Sequence, residues 1–243
     1  MKAFLLAGGH GERLRPLTYS TPKCLVPIIG QPLLGIWLTA LGHYGIDEVL
    51  VNVSRHPEQV EAFIAKRKSP PRVTVVRELQ PIGNAGTVAA NRAFVDDQTD
   101  FWIIYSDNLS TADLGAVRTF HLGHRGLLTM ALFEAQDPRQ AGVVTVEPDG
   151  RIGAFAEKPD RPAGTLANAG IYLARRELLD FIPVADTVVD FGLHVFPRLV
   201  GRLYGYRVDG LHIDIGTPQG LHRANQEAAR LDALSREERG SSR

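Results

Sequence analysis

Arg13, Lys23, Asp107 and Asp214 are the residues in this chain whose types and neighbours best suit chemistry. The stretch LLAGGHGERLRPLTYSTPKCLVP sets Gly8, Gly9 and Gly11 just ahead of Arg13, Arg15 and Lys23. Glycine reaches positive φ and carries no side chain, so backbone N–H groups in such a loop can close on a ligand. Guanidinium and ammonium groups beside it suit a polyphosphate. Asp107 ends the apolar run Phe-Trp-Ile-Ile-Tyr-Ser, and Asp214 lies in His-Ile-Asp-Ile-Gly-Thr-Pro, between a strand and a helix start. A carboxylate at either place can cap a turn. It can equally hold Mg²⁺, which takes one or two carboxylates together with phosphate oxygens and water.

Two familiar glycine loops do not fit. A dinucleotide fingerprint needs glycine at its first, third and sixth positions, and the sixth here is Leu14. A phosphate loop of the Walker type ends in Gly-Lys-Ser/Thr, and this one ends Gly-Glu-Arg. A tight turn carrying surface arginines is the plain alternative. Three cations with Pro16 and Pro22 packed behind the loop weigh against it. Cys24 is the sole cysteine and has no histidine near it in sequence, so it reads as packing rather than as a nucleophile.

The elements that must position these groups alternate. Residues 2–7 form an apolar run of the kind buried on both faces of a sheet. Residues 32–44 carry Leu34, Leu38 and Leu41 at helical spacing, closed by Gly45. Strands follow at 48–53, 72–77 and 101–105, with helices at 57–66 and 85–94. Strand–helix alternation predicts βαβ units and a mostly parallel sheet. The second half is richer in antiparallel strands, at 127–134, 142–147, 151–156 and 168–174, with a hairpin turning at Asp149-Gly150. A helix is expected at 112–124 and shorter ones at 177–182 and 191–199. A strand pair is expected at 203–208 and 211–213. A last helix starts at Thr217-Pro218 and runs to about Leu234. The expected organisation is one domain over 1–234, nucleotide side about 1–110 and acceptor side about 111–234, with a flexible tail at 235–243. The chain stops soon after the last helix, so no large C-terminal β-helix is expected.

In an open α/β sheet, ligands sit beyond the carboxyl ends of the strands. Loop 8–13, loop 78–86 and Asp107 each follow a strand, so three strand ends deliver glycines, polar groups and a carboxylate to one edge. The chain has 243 residues, 44% apolar, with a formal net charge of zero. That is enough for a full core and argues against a broad nucleic-acid footprint. No apolar run approaches the ~20 residues of a membrane helix, and a lone cysteine fits a reducing cytoplasm. The eight histidines show no metal-binding spacing and read as surface or core.

LAGGHGERLRPLT…TPK resembles the signature of the sugar-phosphate nucleotidyltransferases, and looks most like that of the mannose-1-phosphate and heptose-1-phosphate guanylyltransferases. Gly8, Gly9, Gly11, Arg13, Leu14, Pro16, Leu17, Thr18, Pro22 and Lys23 match in register. Ser106-Asp107-Asn108 is similar to the family's G-D-N element, with Ser106 in place of the glycine. Asp214-Ile215-Gly216-Thr217 is similar to its W-x-D-x-G-T element. Glu78–Thr87 resembles the base-recognising E-x-x-P-L-G-T-A/G-G segment, with Asn84 at the threonine position. Gly142, Glu157-Lys158-Pro159 and Asn168-Ala169-Gly170-Ile171-Tyr172 match the elements that hold the sugar phosphate. The resemblance runs over about residues 1–224.

What the resemblance implies is a Rossmann-like mixed sheet of the nucleotide-diphospho-sugar transferase type. It would transfer a nucleotidyl group from an NTP to a sugar 1-phosphate, with release of pyrophosphate. Arg13 and Lys23 would be catalytic. Leu6, Ala7, Gly8, Gly9, Gly11, Glu12, Glu78, Gln80, Gly83 and Asp107 would line the nucleotide. Gly142, Glu157, Lys158 and Asn168 would hold the sugar phosphate, and Asp107 and Asp214 would hold Mg²⁺. A carboxylate at Glu78 suits the N1–H and N2 amino group of guanine, and Gln80 would suit thymine or uracil. GTP with mannose or a manno-heptose 1-phosphate is the expected pair. Thymidylyl, uridylyl and cytidylyl transfer, and an inactive regulatory subunit on this fold, stand as alternatives. Whether the chain forms a homo-oligomer is left open by the sequence.

Overall fold

The computed structural model describes residues 1–183 and 187–241, with side chains through residue 233. In chain order the strands are β1 (Lys2–Leu6), β2 (Pro27–Ile28), β3 (Gln31–Pro32), β4 (Glu48–Val53), β5 (Arg72–Arg77), β6 (Asp100–Tyr105), β7 (Asn108–Ser110), β8 (Leu128–Glu134), β9 (Gly142–Val146), β10 (Ile152–Glu157), β11 (Leu166–Arg175), β12 (Leu203–Arg207) and β13 (His212–Asp214). The helices are α1 (Leu33–His43), α2 (Pro57–Ala65), α3 (Asn84–Ala90), α4 (Leu114–Leu122) and α5 (Pro218–Ser241).

The main sheet runs β10-β9-β11-β6-β1-β4-β5, with β8 also paired to β11 and β12 paired to β8. β1 lies parallel to both β4 and β6, and β4 is parallel to β5. β11 runs antiparallel to β6 and β8, which makes the sheet mixed. The chain winds outward from β1 through β4 to β5 and then returns to the other side of β1 as β6. The crevice beyond the ends of β1 and β6 is therefore the switch point where α/β folds bind ligands.

Strand residues alternate between the two faces. Ala3, Leu5, Trp102 and Ile104 pack with α1, and Phe4, Leu6, Phe101 and Ile103 pack with α3 and the 3-10 turns after β11. All eight are buried, which accounts for the uninterrupted apolar runs of β1 and β6. α1 ends at Gly45, with φ +71. Gly45 N–H donates to Gly42 O and Ile46 N–H to Leu41 O, the paired bonds of a left-handed helix stop. Asp113 accepts from the N–H groups of Gly115 and Ala116 to start α4, and Thr217 Oγ1 accepts from Gly220 N–H to start α5.

Several expectations need correction. The segments at 203–208 and 211–213 do not pair with each other. β12 joins the main sheet beside β8, and β13 pairs with β7 to form a separate ribbon. The helix expected over 85–94 breaks at Asn91 and continues as a 3-10 turn. The helices expected at 177–182 and 191–199 are a 3-10 turn and a π turn followed by a 3-10 turn. In the β9–β10 hairpin the corner is Pro148-Asp149, closed by Gly150 N–H donating to Glu147 O, with Gly150 beyond it at φ +86. α5 runs on past Leu234 to Ser241, and the last two residues of the expected tail lie outside the described ones. Among the described residues no helix is long and apolar enough to cross a membrane.

Candidate active site

The loops after β1, β5 and β6 meet at one rim of the sheet and open two adjoining cavities of about 450 and about 420 Å³. Gly8, Gly9, Arg13, Lys23 and Pro81 line both. The glycine loop is held from behind by side chains. Asn52 Oδ1 accepts from Ala7 N–H at 2.8 Å, and Ser54 Oγ donates to Gly8 O at 2.7 Å. Thr18 Oγ1 donates to Gly11 O at 2.7 Å, across a Gly11 with φ +64. A Cβ on Gly8 would stand 2.6 Å from Asn52 Nδ2, so a side chain there would push the loop off its support.

The charged centre lies beside this loop. Lys23 Nζ is 2.7 Å from Asp107 Oδ2 and 3.6 Å from Asp214 Oδ1, and Arg13 reaches Asp214 Oδ2 at 3.4 Å. The Lys23 side chain is only 10% exposed, so its ion pairs are screened less than surface pairs are. Asp107 arrives from the end of β6 and Asp214 from the end of β13, whose pairing with β7 sets the two aspartates on neighbouring backbones. Ser106 is buried, and both its N–H and its Oγ donate to Leu6 O, so β6 is tied to β1 immediately before Asp107. The serine thus binds the strand ends together without displacing the aspartate. Two oxygen-donor side chains that already clasp a cation fit Mg²⁺, which completes its shell with phosphate oxygens and water. Among the described residues no group of three or more His, Cys, Asp or Glu side chains gathers to form a closed metal cage.

On one side of this centre is the loop after β5. Glu78 lines the cavity but is nearly buried, and its Oε1 accepts from Thr87 Oγ1 at 2.5 Å. Thr87 in turn accepts from Asn52 Nδ2 at 3.2 Å. Gln80 is exposed and lines neither cavity, because the chain swings outward after Glu78 and leaves Leu79 98% exposed. Pro81 and Gly83 face inward in its place.

On the other side are Gly142, Glu157, Lys158 and Asn168, all lining the larger cavity. Burial raises the Glu157 carboxyl above the usual range; Lys158 opposes this and nearby Asp190 adds to it. Lys158 Nζ is 4.0 Å from Glu157 Oε1, and Lys158 holds φ +45. Asn168 donates to Tyr172 OH at 2.7 Å and accepts from Gly170 N–H at 2.9 Å. A Cβ on Gly142 would stand 2.8 Å from Glu157 Oε2, so only glycine leaves that carboxylate room.

The structure therefore collects Leu6, Ala7, Gly8, Gly9, Arg13, Lys23, Glu78, Gly83, Asp107, Gly142, Glu157, Lys158, Asn168 and Asp214 around the larger cavity. Gly11 and Glu12 line the smaller one. The sequence reading missed Asn52, Tyr105, Asp190, Gly192 and His212, and it gave Asn84 and Thr87 only as members of the base-recognising segment. Asp190-Phe191-Gly192 opens a helical turn, and an aspartate there reads as a cap. Asp190 Oδ1 does accept from Gly192 N–H, while its other oxygen faces Asn84. His212 is a correction to the view of the histidines as surface or core. It lines the cavity beside Phe133, and burial pushes it down to about 4, against the pull of Asp107 and Asp214. Cys24 also touches the cavity, yet burial pushes its thiol up to about 12, which fits packing and not attack.

The profile of the family described as nucleotidyl transferase matches residues 2–230. This chain belongs to the nucleotidyl transferase family. Among nucleotidyl transferases it is 34% identical over 226 residues to mannose-1-phosphate guanylyltransferase 1 of Arabidopsis thaliana, with 90% of this chain and 62% of the relative aligned. It is 33% identical to the mannose-1-phosphate guanylyltransferase of Mycobacterium tuberculosis, covering 98% of this chain and 67% of that one. The nucleotidyl transferase described here thus spans about 62% of the length of the plant relative. A solved structure described as a putative glucose-1-phosphate thymidylyltransferase from Bacillus anthracis, in complex with a sucrose, superposes with a TM-score of 0.82 at 26% identity. That overlap covers 94% of this chain and 95% of the other.

Proposed function

We propose that this nucleotidyl transferase joins a nucleoside triphosphate to a sugar 1-phosphate and releases pyrophosphate. One observation carries the reading: Lys23, Arg13, Asp107 and Asp214 form a single charged centre between a glycine-loop wall and a wall of hydroxyl-binding groups. The first wall suits a triphosphate and the second a polyhydroxylated phosphate ester.

The acceptor's phosphate oxygen is already an anion near neutral pH, so attack on the α-phosphorus needs no general base. What the chain must supply is alignment and charge. N–H groups of the glycine loop cradle the triphosphate. Lys23 holds the α-phosphate, and Arg13, the more exposed of the two cations, meets the charge that gathers on the departing pyrophosphate. Lys158 holds the acceptor phosphate, while Glu157, Asn168 and Asp190 bind hydroxyl groups. Asp107 and Asp214 would hold Mg²⁺, which supplies charge neutralisation across the phosphates of both substrates.

Guanylyl transfer from GTP to mannose 1-phosphate is the pair supported by the names of the Arabidopsis and M. tuberculosis relatives, and a manno-heptose 1-phosphate rests on the resemblance of the sequence motifs. Glu78 adds less to that choice, since Thr87 already occupies one of its oxygens. A second reading, dTTP with glucose 1-phosphate, is favoured by the likeness to the B. anthracis structure. A cytoplasmic location fits the substrates. The test is pyrophosphate release with Mg²⁺ across GTP, UTP, dTTP, CTP and ATP, each against hexose and heptose 1-phosphates. Release with GTP and a manno-configured acceptor is expected. Release with another pair keeps the mechanism and discards the guanine assignment. No release with any pair overturns the reading.

A further inference from the structure

The first turn of α3 is capped from a distance. Ala85 and Gly86 both donate their N–H groups to Val189 O at 3.1 Å, and Val189 N–H donates back to Ile82 O at 2.9 Å. Gly83, at φ +85, lies so close to the Val189 backbone that any side chain would collide with it. The loop after β5 and the segment 188–192 are thereby clasped.

Asn84 completes the clasp with both hydrogens of its amide nitrogen and with its amide oxygen. Its Nδ2 donates to Asp190 Oδ2 at 2.6 Å and to Tyr105 OH at 2.8 Å. Its Oδ1 accepts from Phe191 N–H at 2.7 Å. The amide can stand only this way round, because a carboxylate only accepts and a backbone N–H only donates. A threonine, the residue of the resembled segment, has a single hydroxyl and cannot make these three bonds together. Asp190 sits with Glu157 around Gly192, where added bulk would meet both carboxylates. Asn84 therefore sets the distance between the acceptor wall and the nucleotide loop, although its own backbone belongs to the latter.

We propose that Asn84 is a positioning residue for the acceptor, acting through Asp190 and the Phe191 backbone, so that its loss falls on the sugar 1-phosphate and not on the NTP. The inference rests on the function proposed above and deepens it. The experiment is steady-state pyrophosphate release by wild type, Asn84→Ala, Asp190→Ala and the double variant, with each substrate varied in turn. Asn84→Ala should raise the acceptor KM about tenfold or more, with the NTP KM within about twofold. The effect of the double variant should fall well short of the product of the two single effects, since both changes remove the Asn84–Asp190 bond. If Asn84→Ala does not fold, Asn84→Thr, which keeps bulk and one hydroxyl, should show the same split. An active wild type whose Asn84 variants raise only the NTP KM, or whose two changes multiply independently, overturns the proposal alone. A wild type that turns over no pair overturns the functional reading, and this proposal with it.

Discussion

Lys23 Nζ bridges two aspartates, 2.7 Å from Asp107 Oδ2 and 3.6 Å from Asp214 Oδ1, and so stands where a divalent cation would compete with it. Lys23→Met should tighten Mg²⁺ binding to the free protein, because two facing carboxylates lose their resident charge. The same change should lower kcat by about 100-fold, since it removes charge stabilisation of the transferring phosphate. Calorimetric titration with Mg²⁺ beside a turnover assay checks both. Unchanged Mg²⁺ affinity would remove the aspartates from the metal role.

Arg13 is more exposed and bonds Asp214 only loosely at 3.4 Å, so it is free to follow a moving phosphate. Arg13→Ala should lose about 100-fold in kcat with little change in NTP affinity. Equal kcat in variant and wild type would end its assignment to the departing pyrophosphate.

Asp107→Asn keeps the shape of the side chain and removes its charge. The half-saturating Mg²⁺ concentration should rise about tenfold as one charged ligand of a hard cation is lost. Full activity at wild-type Mg²⁺ levels would exclude Asp107 from the site.

A buried histidine pair far from the rim predicts an acid-sensitive fold. His121 Nδ1 and His124 Nε2 both meet Thr129 Oγ1, at 2.8 and 2.7 Å. Burial lowers the pKa of each, and His124 falls from 6.5 to about 4; Asp100 beside His121 only partly opposes this, and Arg175 adds to the lowering. The unfolded chain then binds more protons than the folded one as pH falls below 6.5. Stability is fully present above that pH and is lost as pH drops toward 4. Thermal unfolding at pH 7 and pH 5 measures the loss, and His124→Gln should flatten the slope.

Cys24, buried with its thiol raised to about 12, should resist iodoacetamide in the native protein and react once urea unfolds it. Rapid native labelling with loss of turnover would contradict its packing role.

The parallel half of the fold was legible because its strands carry plain physical marks. β4 and β5 have the boundaries expected from their apolar runs, with Ser54 and Glu78 as the first polar residues beyond them. The site's backbone-bound parts were legible for a related reason: strand ends and glycines announce themselves in sequence. What stayed hidden depends on distant partners. Asn84 and Asp190 are 106 residues apart, and nothing local in the sequence pairs them. Gln80 looked like a base contact by resemblance, and only the outward path of Leu79 removes it from the cavity. Likewise a strand pair was expected at 203–208 and 211–213, and only β8 and β7 decide where the two strands go.

β11 enters the rim by its beginning, whereas β1 and β6 reach it by their ends. That reversal draws a boundary between β6 and β11, and in the proposed reaction the triphosphate's supports lie on one bank and most of the acceptor's on the other. Substitutions in β9, β10 or the start of β11 can therefore reshape the choice of sugar while the glycine loop and its charged neighbours stay as they are. The clasp at Asn84 crosses that boundary, so a change that reaches Asp190 also loses its anchor on the loop after β5. A lineage could exchange sugars freely along most of this bank, and would find its freedom curtailed at that one crossing.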